Sequence, residues 1–217
     1  MKLNLVEQWF KPSNILDIGA NIGLWQTEAK KAWPDAYIYS IEANTDCEPW
    51  LQNLGCDYKI CLLTKDENNY NYHKKIYGGA ENAVHGSGNS IYKEKTLHFV
   101  DGEYETESIK GTTLDSLFED TSFDLIKIDT QGTELQVLKS SSQTIKKDKP
   151  VIIFEFESEY FPEKKEHEYY KNEILNFFKH EDYNLYMIDP KLNYFPELKL
   201  DYYFRGEILA LPKLYIK

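Results

Sequence analysis

Cysteine is scarce in this chain, with Cys47, Cys56 and Cys61 the only three in 217 residues. Their number is odd and none forms a Cys-x-x-Cys pair, so neither a disulfide framework nor a zinc site is expected. Long apolar runs are missing as well. No stretch approaches the roughly 18 consecutive apolar residues of a membrane span, and the 41% apolar content is that of a soluble globular chain. Basic residues are in deficit, 25 against 36 acidic, for a formal charge of −11. No basic patch interleaves with aromatics, which argues against nucleic acid as a partner. The opening segment, Met1 to Glu7, is too polar for a signal peptide, so a cytoplasmic location is expected. The length suits a single α/β domain over residues 1–217, and there is no internal repeat. Aromatics are plentiful at 15%, including 17 Tyr. Such rings stack on sugar faces, but Tyr also fills half-buried strand positions in any α/β domain, and that ordinary use is the stronger reading.

The most informative segment is Asn14-Ile15-Leu16-Asp17-Ile18-Gly19-Ala20-Asn21-Ile22-Gly23. The first five residues are too short a run for a helix and end at glycine, which describes a strand buried on both faces. Gly19 and Gly23 permit a sharp turn into a helix, where backbone N–H groups and the helix N-terminus can serve a ligand. A second run, Ala36 to Ile41, ends at Glu42, where a carboxylate can bind ribose hydroxyls. The unit is a βαβ nucleotide corner. Dinucleotide folds favour Gly-x-Gly-x-x-Gly, whereas this turn looks like the acidic-x-Gly-x-Gly-x-Gly turn of S-adenosylmethionine methyltransferases, with Asn21 in place of the middle glycine. Asp17 suits the cationic end of a sulfonium amino acid better than a pyrophosphate, which it would repel. The turn alone also serves merely to join strand to helix in doubly wound proteins.

Downstream, Leu24 to Trp33 reads as a crossover helix stopped by Pro34, Asp46 to Leu54 as a second helix, and Asp57 to Thr64 as strand three. Residues Lys65 to Thr106 are polar, hold five glycines and show only broken strand patterns at Tyr70–Ile76 and Thr96–Val100. They read as an insertion or lid, in which His85 to Ser90 is best suited to approach a ligand. Thr112 to Phe118 looks like a short helix before strand four, Phe123 to Asp129. Lys127 is anomalous in so apolar a strand, because an unpaired buried ammonium is costly, and it requires a carboxylate partner. After Gly132 one helix is expected to carry Leu135, Val137, Leu138 and Ile145, with Glu134 in its first turn. Val151–Phe156 reads as strand five and Glu173–Lys179 as part of a helix. Asn184–Ile188 and Glu207–Leu211 form an antiparallel pair at the sheet edge.

These residues resemble the FkbM-type family of S-adenosylmethionine-dependent methyltransferases over most of the chain. Asp17 to Gly23 looks like the family's cofactor turn, Ile41-Glu42-Ala43-Asn44 like its ribose-binding strand end, and Thr113-Leu114-Asp115 like its Thr-Leu-Asp motif. The most specific block is Asp124 to Leu135, a Lys-Ile-Asp strand end followed by Gly-x-Glu-Leu. Two departures stand out: Ala43 where proline is usual, and Thr130-Gln131 where Val-Glu is common, which removes a carboxylate. The resemblance implies a seven-stranded, mostly parallel, Rossmann-like sheet in a class I methyltransferase domain, with helices on both faces and an antiparallel last strand.

Asp17, Glu42, Asp129 and Glu155 each end a presumed strand and are expected to converge on one crevice. Asp17, Gly19, Asn21, Gly23 and Glu42 are assigned to S-adenosylmethionine. Asp129 is the first candidate to orient the acceptor or act as base, with Lys127 positioning it and Glu155 as the alternative; a second-shell contact to cofactor is the other reading of Asp129. Asp129 with Glu155 could bind a divalent metal, but no third ligand has diagnostic spacing, so no metal is assigned. The expected activity is O-methylation of a sugar, glycan or small natural product. An NAD-dependent oxidoreductase is the alternative, disfavoured by the turn spacing, and a non-catalytic binding module, raised by Gln131, is a third.

Overall fold

The structure is a computed structural model, and it describes residues 3–76, 88–93, 103–156, 160–161, 163–189, 191–192, 194–198 and 206–215. In chain order the strands and helices are β1 (Asn14–Ile18), α1 (Leu24–Ala32), β2 (Tyr37–Glu42), α2 (Glu48–Asn53), β3 (Asp57–Ile60), β4 (Leu62–Leu63), β5 (Asn69–Ile76) and β6 (Glu103–Thr112). There follow α3 (Leu114–Leu117), β7 (Leu125–Ile128), α4 (Glu134–Ser140), α5 (Ser142–Asp148), β8 (Val151–Phe156), α6 (Lys164–His180), β9 (Tyr183–Met187) and β10 (Gly206–Pro212). Seven strands form one sheet in the order β3-β2-β1-β7-β8-β10-β9. Only β10 runs against its neighbours, pairing antiparallel with both β8 and β9.

The centre of the sheet is apolar on both faces because consecutive strand residues point to opposite sides. Leu16, Ile126, Ile152 and Phe154 join one core, while Ile15, Leu125, Val151 and Ile153 join the other. The first core is closed by α4 and α6 through Val137, Leu138, Ile174 and Phe178, and the second by α1 through Ala29. β1 lies parallel between β2 and β7, which places Asp17 beside Ser40 on one side and Lys127 on the other.

Three expectations are corrected. Strand three was expected over Asp57–Thr64 but ends at Ile60; the chain then leaves the sheet, and Leu62 and Leu63 pair parallel with Gly111 and Thr112 of β6. Both leucines are buried there, Leu63 within the same core as Ile126 and Val137. The helix expected from Gly132 through Ile145 is two helices broken at Ser141. Its hydroxyl donates back to the carbonyls of Val137 (2.8 Å) and Leu138 (3.2 Å), a local bond that competes with helix continuation. Asp115 then caps α5, accepting from the amides of Gln143 (3.0 Å) and Thr144 (2.9 Å). Thr113 caps α3 and Leu114 is fully buried, so the Thr-Leu-Asp motif is architectural. Thirdly, the strand pattern read at Tyr70–Ile76 is present as β5, but the strand that pairs with it was not expected: all eight residues of β5 pair antiparallel with Glu103–Lys110 of β6. The pattern expected at Thr96–Val100 and the segment His85–Ser87 lie outside the described residues.

None of the three cysteines is joined in a disulfide. Among the described residues no helix is long and apolar enough to cross a membrane.

Candidate active site

The C-terminal ends of β1, β2 and β7 open into a cleft of about 700 Å³, counted with the solvent at its mouth. Gly19 forms part of its wall with φ +76, and a Cβ there would fall 1.8 Å from the carbonyl oxygen of Asp129. Only glycine lets the β1 turn pass so close to the end of β7. Asn21 adopts φ +50, the left-handed region that asparagine tolerates better than most residues. Its Oδ1 accepts from the amide of Ile22 at 2.7 Å, which braces that conformation.

Glu42 is held by three backbone donors. Its Oε1 accepts from the amides of Ala43 (2.9 Å) and Asn44 (2.8 Å), and its Oε2 from the amide of Asn21 (2.7 Å). Burial pushes its pKa above the ordinary glutamate value, although those amides pull it back. A carboxylate offers about four acceptor positions, so roughly one is left for a ligand.

The ammonium of Lys127 lies beneath the cleft. It contacts Asp17 Oδ1 at 3.3 Å and Asp129 Oδ2 at 3.4 Å and donates to the carbonyl of Gly19 at 3.1 Å. The partner that its sequence position demands is therefore two carboxylates. Burial pulls its pKa down, but the charges of Asp129 and Asp17 outweigh burial and leave it above the usual lysine range. Asp17 is 0% exposed. Among the described residues, neither of its carboxylate oxygens has a hydrogen-bond partner apart from Lys127. For Asp129 burial is likewise opposed by Lys127, and the Gln131 amide adds to that pull, with a net pKa below the usual aspartate value.

The rim expected from four carboxylates is thus divided. Glu42 and Asp129 line the cleft with Gly19 and Asn21. Asp17 is sealed under the floor with Lys127, and neither they nor Gly23 line the cleft. Gly23, at φ +80, instead leads into α1 where a Cβ would strike Leu54. Glu155 is reached through Gln131, whose side-chain amide donates to Asp129 Oδ1 at 2.8 Å and to Glu155 Oε2 at 3.0 Å. Its carbonyl accepts from the Tyr160 hydroxyl at 3.2 Å. Sequence reasoning marked Gln131 only as a missing carboxylate; that departure was the available signal. Tyr160, one tyrosine among 17, gave none.

Behind Asp129 the loop is shaped by Glu134, which is buried at 1% exposure. Its Oε1 accepts from the amides of Thr130 (3.0 Å) and Gly132 (3.1 Å), and its Oε2 from the Tyr170 hydroxyl (2.7 Å). Burial pushes its pKa up to about 7. The opposite wall comes from the hairpin region: Tyr72, Gly88, Asn89 and Ser90 line the cleft. Among the described residues no group of three His, Cys, Asp or Glu is placed to hold a metal ion.

This geometry can be set beside known proteins. No curated protein sequence matches the chain. A crystal structure of methyltransferase FkbM from Methylobacillus flagellatus KT superposes on 91% of the chain with a TM-score of 0.52 at 14% identity, and the chain spans 43% of that protein's length. A putative O-methyltransferase from Klebsiella pneumoniae gives a TM-score of 0.49 at 15% identity over 97% of this chain and 76% of that one. For precorrin-6y C5,15-methyltransferase from Geobacter metallireducens GS-15 the values are 0.48, 10%, 97% and 85%. The methyltransferase FkbM domain itself is matched over residues 17–185, a span that opens at the carboxylate under the cleft and runs through both of its carboxylate walls to β9. The chain belongs to the FkbM family of S-adenosylmethionine-dependent methyltransferases.

Proposed function

We propose that the cleft between Glu42 and Asp129 binds S-adenosylmethionine and that the protein is an O-methyltransferase acting on a hydroxyl of a sugar, a glycan or a small natural product, in a cytoplasmic setting. The observation that carries this reading is a pair of carboxylate acceptors. Glu42, tethered by three amides, keeps an acceptor position beside the glycine turn, and Asp129 faces the same space. Glu42 suits a ribose hydroxyl, and the five amides of the turn from Gly19 to Gly23 are engaged within the protein rather than turned to a pyrophosphate. Glu42 would take a ribose hydroxyl on its remaining acceptor position, with Gly19 and Asn21 as the backbone wall. Asp17 would act from beneath, by holding Lys127 and through it Asp129.

When bound, S-adenosylmethionine supplies a methyl group already activated by its sulfonium centre. What remains to the chain is to place an acceptor oxygen in line and to manage its proton. Asp129 would accept a hydrogen bond from the acceptor hydroxyl. Its lowered pKa makes it a weaker base than an ordinary carboxylate, so orientation is the larger part of its role. Glu155, linked to Asp129 by the Gln131 amide, is the second proton-accepting candidate. The region 65–106 would serve as the lid that shapes the acceptor side, an assignment supported by Tyr72, Asn89 and Ser90 in the cleft wall.

Gln131 favours one second reading, in which a neutral amide between two carboxylates leaves a cleft that binds without turnover. Transfer of labelled methyl from S-adenosylmethionine to a panel of polyols and glycans, read as a 14 Da gain, separates the two. The transferase reading expects a product from wild type and a loss of about 100-fold in Asp129→Asn with cofactor binding retained. Turnover unchanged in that variant would remove Asp129 from the mechanism, and cofactor binding with no product across the panel would favour the binding module.

A further inference from the structure

A second cavity adjoins the cleft, and on the same measure it occupies about 1470 Å³ against about 700 Å³. The two share a wall. Ser90 and Ile91 line the cleft while Tyr92 and Lys93 line the cavity, and Thr133 faces the first while Leu135 and Gln136 face the second. Tyr160 lines the cavity and places its hydroxyl 3.2 Å from Gln131 Oε1, within the group that joins Asp129 to Glu155. Gly132 keeps that ring in place, since a Cβ there would come within 2.7 Å of it.

The chemistry of the cavity differs from that of the chain. In a protein of charge −11 its rim carries Lys65, Lys93, Lys139 and Lys165 against Glu166. Lys139 is paired with Glu173 at 2.8 Å, and Lys93 lies over the Tyr104 ring at 5.4 Å from its centre. Lys65, Lys93 and Lys165 are exposed and, among the described residues, have no carboxylate within ion-pair distance. The walls are aromatic: Phe161 stacks on Tyr170 at 4.2 Å and meets Tyr92 edge-on at 5.5 Å, and Tyr169 stands 63% exposed at the rim. These rings present flat apolar faces with hydroxyls at their tips. A pyranose has the complementary form, with a C–H face and a rim of hydroxyls. Gln136 lines the same cavity, where its side-chain amide donates to the Tyr92 hydroxyl at 3.4 Å.

We propose that this cavity is the acceptor subsite and that it takes an anionic sugar, one bearing a carboxylate or a phosphate. The lysines bind the anion, the aromatic walls bind the sugar face, and the hydroxyl to be methylated reaches past Tyr160 toward Asp129. The proposal rests on the methyl-transfer reading for its role and on the cavity alone for its ligand.

The test is direct binding without cofactor, by saturation-transfer NMR and calorimetry, with four probes: glucuronate, glucose 6-phosphate, glucose and inorganic phosphate. The expected result is that both acidic sugars bind more tightly than glucose. Lys93→Ala/Lys165→Ala should weaken them by about fivefold or more, as should 0.5 M salt, with little effect on glucose. Tyr169→Ala should weaken the acidic sugars by about threefold and leave inorganic phosphate unchanged. The ratio of glucuronate to glucose 6-phosphate affinity tells a carboxylate from a phosphate ligand. Equal binding of glucose and glucuronate, or affinities indifferent to the lysine and tyrosine changes, would overturn the proposal. Both variants alter exposed side chains, and unchanged melting temperatures would show that they fold. Titrating S-adenosylhomocysteine into the same samples keeps the two readings apart. Cofactor binding without acidic-sugar binding sinks only the subsite, whereas sugar binding without cofactor binding sinks the methyl-transfer reading.

Discussion

On one side of the cleft Asp17, Lys127 and Asp129 stand on adjacent parallel strands at the centre of the sheet, packed between two apolar cores. On the other, Tyr72, Asn89 and Ser90 are carried by β5 and by a short segment that meets it where the amides and carbonyls of His73 and Ser90 exchange bonds of 2.8 and 3.2 Å. Asp17 and Lys127 are held where water cannot reach them, so each must be matched by an opposite charge, while Asp129 completes the group from the cleft side. On the hairpin side Tyr72, Asn89 and Ser90 are themselves buried, but the ribbon that carries them is not: every other residue of β5 is exposed or half-buried. A loss in the floor leaves a buried charge unmatched. A loss in the hairpin leaves a group that water can serve.

The largest expected effect is in the floor. Lys127→Met should cost about 3–5 kcal/mol of folding stability in urea unfolding, because Asp17 is then buried without a counter-charge. Lys127→Met/Asp17→Leu, which removes both charges, should recover most of that loss. A single variant that costs less than about 1 kcal/mol would show that Asp17 is neutral or hydrated and would break the contrast.

Next comes the loop behind Asp129. Burial raises the pKa of Glu134 from an ordinary 4.5 to about 7, so folding favours its protonated form. Its stabilising contribution is complete below about pH 4.5 and is lost as pH rises through about 7, up to about 3 kcal/mol in all. Glu134→Gln should remove that slope, so the stability difference between wild type and variant should change steadily between pH 4.5 and 7. A difference that stays flat across this window would mean that the amides of Thr130 and Gly132 keep Glu134 ionised.

The smallest effect belongs to the hairpin wall. Asn89 Oδ1 accepts from the amide of Lys75 at 2.9 Å, and Asn89→Ala should cost about 1 kcal/mol or less in global stability. It should nevertheless speed hydrogen exchange at Lys75 and around residues 88–90. A global loss on the scale of Lys127→Met would show that hairpin and sheet unfold as one unit and that the contrast is false.

The same contrast explains what could be read in the sequence. The glycine turn, the strand ends at Glu42 and Asp129, the demand of Lys127 for carboxylates and the antiparallel closing strands are all local patterns or follow from burial, and each is legible in a few consecutive residues. The β5–β6 hairpin was obscured because its strands alternate weakly and its paired residues lie far apart, Asn69 opposite Lys110. The link from Asp129 to Glu155 depends on a side chain 24 residues before Glu155 in sequence, and Tyr160 reaches Gln131 across 29. Neither separation leaves a periodic trace. Asp17 shows the limit from the other side: its place at the end of β1 was legible, but its closure under Lys127 appears only when β1 and β7 lie side by side.

The central claim is that Glu42 and the glycine turn form a site for S-adenosylmethionine. Calorimetric titration of S-adenosylhomocysteine into wild type and Glu42→Gln tests it most directly, since the amide keeps the shape of the side chain and can still accept from Ala43 and Asn44. The expected result is saturable binding to wild type, weakened about tenfold or more in the variant, with melting temperatures within a few degrees of each other. Equal affinity in the two proteins, or a wild type that binds NAD in preference to S-adenosylhomocysteine, would contradict it.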